Sequence, residues 1–332
     1  MPPHLWVSGT AHHPRRWLLR FAVAVLLTLL ILFSSSCSAA TSASRPEASP
    51  PSTLPPAAAL AFPLTIADDA GREVTIEAEP RRIVSLAASN TEILFAIGAA
   101  EKIVGVDQYS DFPPAAREKP TVGGYSRPDL EKIVALEPDL ILGTGIHIKA
   151  TLPELERRGL TTLIVDPRDV KGVMEKIRLV GRATGQRQEA EALADALLAR
   201  VDSVVARVQG AEPVRTFYEL SPSLHTAGPG SFVDDLIRLA GGANVAAGAG
   251  KEWPQMNQEA LFLADPEVIL LADHGAGETP EAVAARPGWS QITAVKTGRV
   301  VAIEPNLANR PGPRVVDGLE LVARTLHPAR MR

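Results

Sequence analysis

The sequence predicts an α/β protein of two Rossmann-like lobes, each around a central parallel sheet, joined by one long rigid helix. Three observations carry that prediction. Strand-like apolar runs alternate with helical patterns within residues 62–185 and again within 211–332, the signature of parallel strands with crossover helices. Between them, over 186–210, "RQEAEALADALLARVDSVVARVQ" runs as an Ala/Leu-rich helix with no strand close behind it. Finally, "YSRPDLEKIVALEPDLIL" (125–142) and "WPQMNQEALFLADPEVIL" (253–270) align without a gap at an offset of 128 residues. A unit that occurs twice at so long a period indicates two similar lobes and not a solenoid.

A chain of 332 residues is long enough for two domains, and 45% hydrophobic with 22% charged residues is ordinary globular composition. The net charge of −4 and the lack of any Lys/Arg run argue against a nucleic-acid partner. Cys37 is the only cysteine, which excludes an intramolecular disulfide and a cysteine-based metal site. Before it stands "RRWLLRFAVAVLLTLLILFSSSC": Arg15, Arg16 and Arg20, then an apolar run from Phe21 to Phe33, then Ser34–Ser36. This resembles a bacterial lipoprotein signal over residues 1–36 with lipid attached at Cys37, although Ser34 stands where that pattern usually has Leu. The alternative is an uncleaved anchor helix, Leu18 to Phe33. Both place the globular part outside the cytoplasmic membrane and tied to it. Residues 37–61 are Ser, Ala and Pro, unable to bury a core, and read as a tether.

Order begins at "FPLTIADDAGREVTI", two alternating runs flanking Asp68–Gly71, a hairpin signal. "RIVSLAA" is a strand and "SNTEILFAIG" a helix, with Ser89 or Asn90 as cap and Gly98 as stop. "KIVGVD", "DLILGT" and "TTLIVD" read as strands, "PDLEKIVALE" and "LPELERRG" as the helices between them. "VKGVMEKIRLVGRATG" and the long helix follow. The strand–helix rhythm then resumes with "RTFYELS", "SFVDDLIRLAGG", "NQEALFLAD", "VILLAD", "RVVAIEP" and a closing helix around "RVVDGLELVARTLH".

Two such lobes leave a cleft at the carboxyl ends of their strands. Tyr125 and Trp253 open the two copies of the repeat, each beside Pro, Gly or polar residues. They are either core residues or a clamp for a large flat ligand, one from each lobe. Glu131 and Glu259 occupy the first turns of equivalent helices, where the helix dipole favours them. They also fit as exposed acidic knobs, one per lobe, for a partner with basic pockets. His147, His225 and His274 each follow a predicted strand end, where an imidazole either ligates a metal, caps the axial position of a chelated one, or is simply solvated. Gly228 and Gly230 before a helix start offer backbone donors to an anion, unless Ser231 caps that helix. Arg310, in "NRPGPR", is placed for a carboxylate or phosphate. No G-x-S-x-G elbow, Walker A or complete G-x-G-x-x-G occurs.

"RIVSLAASNTEILFAIG", "IVGVDQYSDFPP", "DLEKIVALEPDLIL", "WPQMNQEAL" and "NRPGPR", in this order over about residues 64–327, resemble the bacterial ABC-transporter substrate-binding proteins for cobalamin and iron chelates. The resemblance implies the class III periplasmic-binding-protein fold, a monomer, no catalysis and no intrinsic cofactor. The implied ligand is a chelate of cobalt or iron, and the implied partner an ABC permease dimer with its ATPase. "VDQYSDFPP" and "WPQ" are similar to the cobalamin branch, which places Tyr109, Tyr125 and Trp253 in the cleft and Arg310 against the ligand. Ser89 and Thr144 complete the candidate substrate-binding set, Thr144 standing where that branch carries an aromatic. An acid expected near Asn306 is an amide, which leaves room for a siderophore, haem or another corrinoid. Glu131 and Glu259 match glutamates that bind permease arginines. The competing readings are capture of a free metal ion, or an extracytoplasmic metal-dependent enzyme using His147, His225 or His274.

Overall fold

A computed structural model describes residues 62–273 and 277–332. The predicted signal 1–36, Cys37, the tether 37–61 and His274 lie outside the described residues. No helix among the described residues is long and apolar enough to cross a membrane.

The chain enters through β1 (Leu64–Ala67) and β2 (Glu73–Ile76), antiparallel, with Leu64 opposite Ile76. Their turn closes because Asp68 accepts from the amides of Ala70 and Arg72, and because Gly71 takes φ 75°, open to glycine at no steric cost. The first lobe then builds a parallel sheet of β3 (Ile83–Ser85), β4 (Ile103–Val106), β5 (Leu140–Gly143) and β6 (Thr162–Ile164), in the order β4-β3-β5-β6. Helices α1 (Ala88–Ala96), α2 (Leu130–Ala135) and α3 (Thr151–Arg157) connect those strands. A helical hairpin of α4 (Val170–Thr184) and α5 (Arg187–Val208) leads out of it.

The second lobe repeats the plan. Its strands β7 (Val214–Glu219), β8 (Gly242–Asn244), β9 (Val268–Leu271) and β10 (Val300–Ala302) are parallel, in the order β10-β9-β7-β8. Between and after them run α6 (Phe232–Leu239), α7 (Gln258–Ala264), α8 (Pro280–Ala284), α9 (Thr293–Lys296), α10 (Pro305–Ala308) and α11 (Val315–Leu326). In both lobes the first strand lies between the second and third, with the fourth outside the third. This is a two-lobed α/β fold, as the alternation of strands and helices predicts.

The sequence repeat falls on equivalent elements, α2–β5 and α7–β9, and its detail has physical causes. Asp129 and Asn257 cap the two helices, accepting from the amides of Lys132 and Ala260. Each helix gives way to a left-handed residue, Glu137 (φ 43°) and Asp265 (φ 40°), 128 positions apart. The acid after each proline ties the third strand to the start of the first: Asp139 accepts from Arg81 and Arg82 amides, Glu267 from that of Arg215. Arg82 and Arg215 then donate to carbonyls at the helix ends, Leu136 O and Asp265 O, which lack intrahelical donors.

Helix α5 extends about 33 Å at 1.5 Å per residue. Its buried stripe of Leu197, Val201, Val204 and Val208 packs in one apolar cluster that runs from Ile83 of the first lobe, through α4 and α5, to α6 and α11 of the second. Arg178 of α4 grips Glu191 and Asp195 of α5, and Arg200 grips Asp317 and Glu320 of α11. Gly181 permits the tight α4–α5 crossing, since a Cβ there would stand 2.2 Å from that of Ala190.

Two local expectations need correction. Helix α1 starts at Ala88 behind Ala87, and neither Ser89 nor Asn90 caps it. Asn90 instead donates to Gly143 O, and Thr91 joins Ser85 and Ser110, so the polar side chains here fasten the helix to β5 and the β4 loop. Of the two readings of Gly228 and Gly230, the capping one fits and the anion site does not: Ser231 caps the helix, accepting from the Asp234 amide, and the Gly228 amide donates to Glu252 O.

Candidate functional site

The carboxyl ends of both sheets face one cleft of about 810 Å³. Tyr125 stands on the first-lobe wall and Trp253 on the second-lobe wall. Neither is a core residue: Tyr125 is 37% exposed and Trp253 47%. Each ring is braced edge-on by its own lobe. His147 stands 5.6 Å from Tyr125 at 85°, and Phe232 stands 6.5 Å from Trp253 at 62°. Ile146, Ile148 and Leu220 add apolar surface.

Thr144 is buried and starts the turn after β5. Its hydroxyl lies 3.2 Å from the Tyr125 hydroxyl, and its amide donates to His147 Nδ1 at 3.0 Å. With Nδ1 accepting, Nε2 carries the proton and donates to Tyr125 O at 2.7 Å. Burial pushes the His147 imidazole below its usual pKa, against the pull of the Tyr125 carbonyl. This corrects the metal-ligand reading of His147: it is buried with both ring nitrogens engaged, and it positions Tyr125. His225 is exposed, turns Nδ1 to Ser221 and Ser223, and does not line the cleft. Among the described residues no group of three or more His, Cys, Asp or Glu is arranged to hold a metal ion.

Tyr125 also lines a side well of about 180 Å³, walled by Ser89, Asp107, Tyr109 and Arg310. Tyr109 is 54% exposed. Burial raises the Asp107 carboxyl pKa, opposed by the Ser110 hydroxyl and the Tyr109 amide that donate to it. Arg310 reaches across to the first lobe, donating to Asp111 at 2.6 Å and to Glu92 at 3.4 Å. Glu92, 3% exposed, also receives Arg314 at 2.6 and 2.9 Å, and Arg314 stacks 3.9 Å from the Phe112 ring. A second interlobe pair, Arg168–Glu252 at 3.0 Å, crosses beside Trp253.

Glu131 and Glu259 both fall in first helical turns and both are exposed. Glu131 has Arg158 at 3.8 Å, while no cation of the described residues pairs with Glu259. Phe232, Arg314 and Asp111 were not among the residues singled out in the sequence, where Glu92 stands only as an acid in the first turn of a predicted helix. Their only local signals are the "GSFVDD" helix start and the arginine closing "NRPGPR".

Two α/β lobes of one topology, facing each other across an aromatic-walled cleft, define a solute-binding protein. Comparison with known proteins is specific about which kind. The model of a periplasmic binding protein family matches residues 83–307, and this chain belongs to that family. It is 33% identical to the uncharacterized ABC transporter substrate-binding lipoprotein YvrC of Bacillus subtilis, over 80% of this chain and 86% of that one. It superposes on the vitamin B12 binding protein BtuF of Vibrio cholerae with a TM-score of 0.68 and 28% identity, covering 76% of this chain and 99% of that one. The heme-binding protein RhuT of Roseiflexus sp. RS-1 gives a TM-score of 0.69 and 29% identity, covering 75% and 99%. The resemblance seen in the sequence is thereby confirmed.

Proposed function

We propose that this chain is the extracytoplasmic solute-binding component of an ABC importer. It holds a bulky metal chelate, a corrinoid such as cobalamin, a ferric siderophore or haem, and delivers it to the permease and its ATPase. The carrying observation is that Tyr125 and Trp253 stand on opposite walls of one cleft, each braced by another aromatic ring. A flat ligand between them gains burial on two faces. Cobalt or iron belongs to the ligand in this reading, and the protein needs no cofactor of its own. The vitamin B12 and heme binders among its structural neighbours support the ligand class, and the lipoprotein relative supports lipid attachment at Cys37. The engagement of both His147 ring nitrogens counts against free-metal capture and metal-dependent catalysis at that residue.

Titration of the purified protein with cyanocobalamin, haemin and a ferric siderophore tests this. One of them is expected to quench tryptophan fluorescence and shift its own visible spectrum. Binding of none, together with saturable uptake of a bare divalent ion, overturns the proposal.

The two glutamates serve docking in the same reading. Reversal of both, Glu131→Lys with Glu259→Lys, is expected to cut ligand import about tenfold or more, as misplaced charge at an interface does. Ligand affinity should stay within about twofold, because neither glutamate lines the cleft. A parallel fall in affinity would refute the docking role.

A further inference from the structure

Glu131 and Glu259 hold equivalent positions, yet their surroundings differ. Arg158 follows α3 and Arg286 follows α8, the helix after the third strand in each lobe, and the two arginines keep the offset of 128 residues. Arg158 turns outward, 3.8 Å from Glu131 and 3.0 Å from Glu154. Arg286 turns inward, donating to the buried Glu219 at 2.5 and 2.9 Å and lying 4.5 Å from the centre of the Trp289 ring. The arginine that attends Glu131 therefore has no counterpart at Glu259. A second difference lies one turn further along each helix. Leu263 follows Glu259 by four residues, so the two share a face of α7. Leu263 is 90% exposed, the most open large hydrophobic side chain of the described residues. Its counterpart on α2 at the same offset is Ala135, which offers little apolar surface. Leu263 also walls a groove of about 500 Å³ between α7 and residues 245–256, lined by Val245, Ala249, Pro254, Met256 and Ala260. Met256 is only partly buried, and its unbranched side chain can adapt to an incoming group. A lone exposed leucine needs no explanation, but one that borders an apolar groove and shares its face with an unpaired carboxylate marks an interaction surface.

We propose that the permease grips the second lobe more tightly than the first, because Leu263 and the groove beside it receive an apolar side chain of one permease subunit. The matching surface carries a basic group for Glu259 and an aliphatic or aromatic side chain about 6 Å from it, one helical turn away. Continuity makes the permease the occupant: the groove runs along the helix that carries Glu259, so a partner seated on that glutamate covers Leu263 as well. Charge agrees with this order of strength. Glu259 meets its cation directly, whereas Glu131 must first part from Arg158. The inference rests on the docking reading and goes beyond it in making the two contacts unlike. A two-fold permease then holds the chain by an acidic and apolar contact on one side and a polar contact on the other.

The test measures uptake by cells that carry the full chain, in limiting amount, with its permease and ATPase. The probe is cyanocobalamin, haemin or a ferric siderophore, whichever the purified protein binds. Leu263→Gln keeps the length and helical tendency of the side chain but removes its apolar contact. Uptake is expected to fall about tenfold, as loss of one buried aliphatic side chain does. Ligand affinity should stay within about twofold and the melting temperature should not move, because Leu263 lies in neither the cleft nor the core. Leu263→Met should restore uptake. Ala260→Trp fills the groove from its own wall, with Leu263 and Glu259 left in place, and should lower uptake too. Ala135→Gln, the mirror change on the first lobe, should alter uptake less than twofold, and Glu259→Gln should harm it several times more than Glu131→Gln. Equal losses in these mirror pairs, or uptake with Leu263→Gln within twofold of the unaltered chain, overturn the inference. The docking reading survives that result if Glu131→Lys with Glu259→Lys still blocks uptake, and falls with it if that double change is harmless. Self-association of the unaltered chain that Leu263→Gln removes would give the groove to a second copy. Binding to phospholipid vesicles free of permease, lost in Leu263→Gln, would give it to a lipid surface. Either result refutes the permease contact.

Discussion

Tyr125→Ala and Trp253→Ala are each expected to weaken ligand capture by about 30-fold to several hundredfold, and the double change to abolish it at micromolar protein. A large aromatic anchor in a binding site is worth about 2–4 kcal/mol on truncation, and such anchors dominate contacts that otherwise only exclude water. The geometry singles out these two. Each is partly exposed, and each is braced edge-on by a neighbour that stays behind when the ring is removed. Truncation therefore takes contact from the ligand and little from the core, and melting temperatures should shift by no more than a few degrees. Phe at either position should restore most of the affinity. At position 125 it forfeits the hydroxyl contact with Thr144 but keeps the ring. Fluorescence or calorimetric titration reads all of this directly. Affinity unchanged in both alanine variants, with both still folded, would mean that the chelate does not lie between the rings.

The first-order plan of the molecule was legible because it rests on local signals. The repeat at offset 128 marks α2–β5 and α7–β9, and it was readable because capping, the proline–acid pair and the following strand all lie within eighteen residues. The β1–β2 hairpin was readable from Asp68 to Gly71 for the same reason. Other features depend on partners far away in the chain. Asn90 looks like a cap in sequence, yet its side-chain amide donates to Gly143 O, 53 residues on. His147 looks like a free loop imidazole, yet it is closed off by Tyr125 and Thr144. The strand β8 is only Gly242–Asn244, without a β-branched residue, and exists because β7 pairs with it. Phe232 reads as a helix-start hydrophobe until Trp253 is placed beside it.

The least legible feature carries the second large effect, the meeting of Glu92 with Arg310 and Arg314 across the lobes. Glu92–Arg314 joins residues 222 apart, and Glu92–Arg310 residues 218 apart. Removing one member of a buried charged cluster leaves a partner, here Arg314, without its carboxylate, at about 3–5 kcal/mol. Glu92→Ala is therefore expected to lower the melting temperature by about 6–20 °C, at about 2–4 °C per kcal/mol for a body of this size. Glu92→Gln keeps the shape and one acceptor oxygen, so it should cost less. The Arg157–Glu154 pair on the exposed face of α3 is the control, since surface pairs contribute about 0–1 kcal/mol; Arg157→Ala should move the melting temperature by no more than about 4 °C. High salt should not reproduce the Glu92 effect, because a buried carboxylate is poorly screened. Arg310 keeps its Asp111 contact in the variant, so ligand affinity should fall far less than stability. A Glu92→Ala protein that melts within two degrees of the parent would show that the apolar seam through α4 and α5 holds the lobes together without this network.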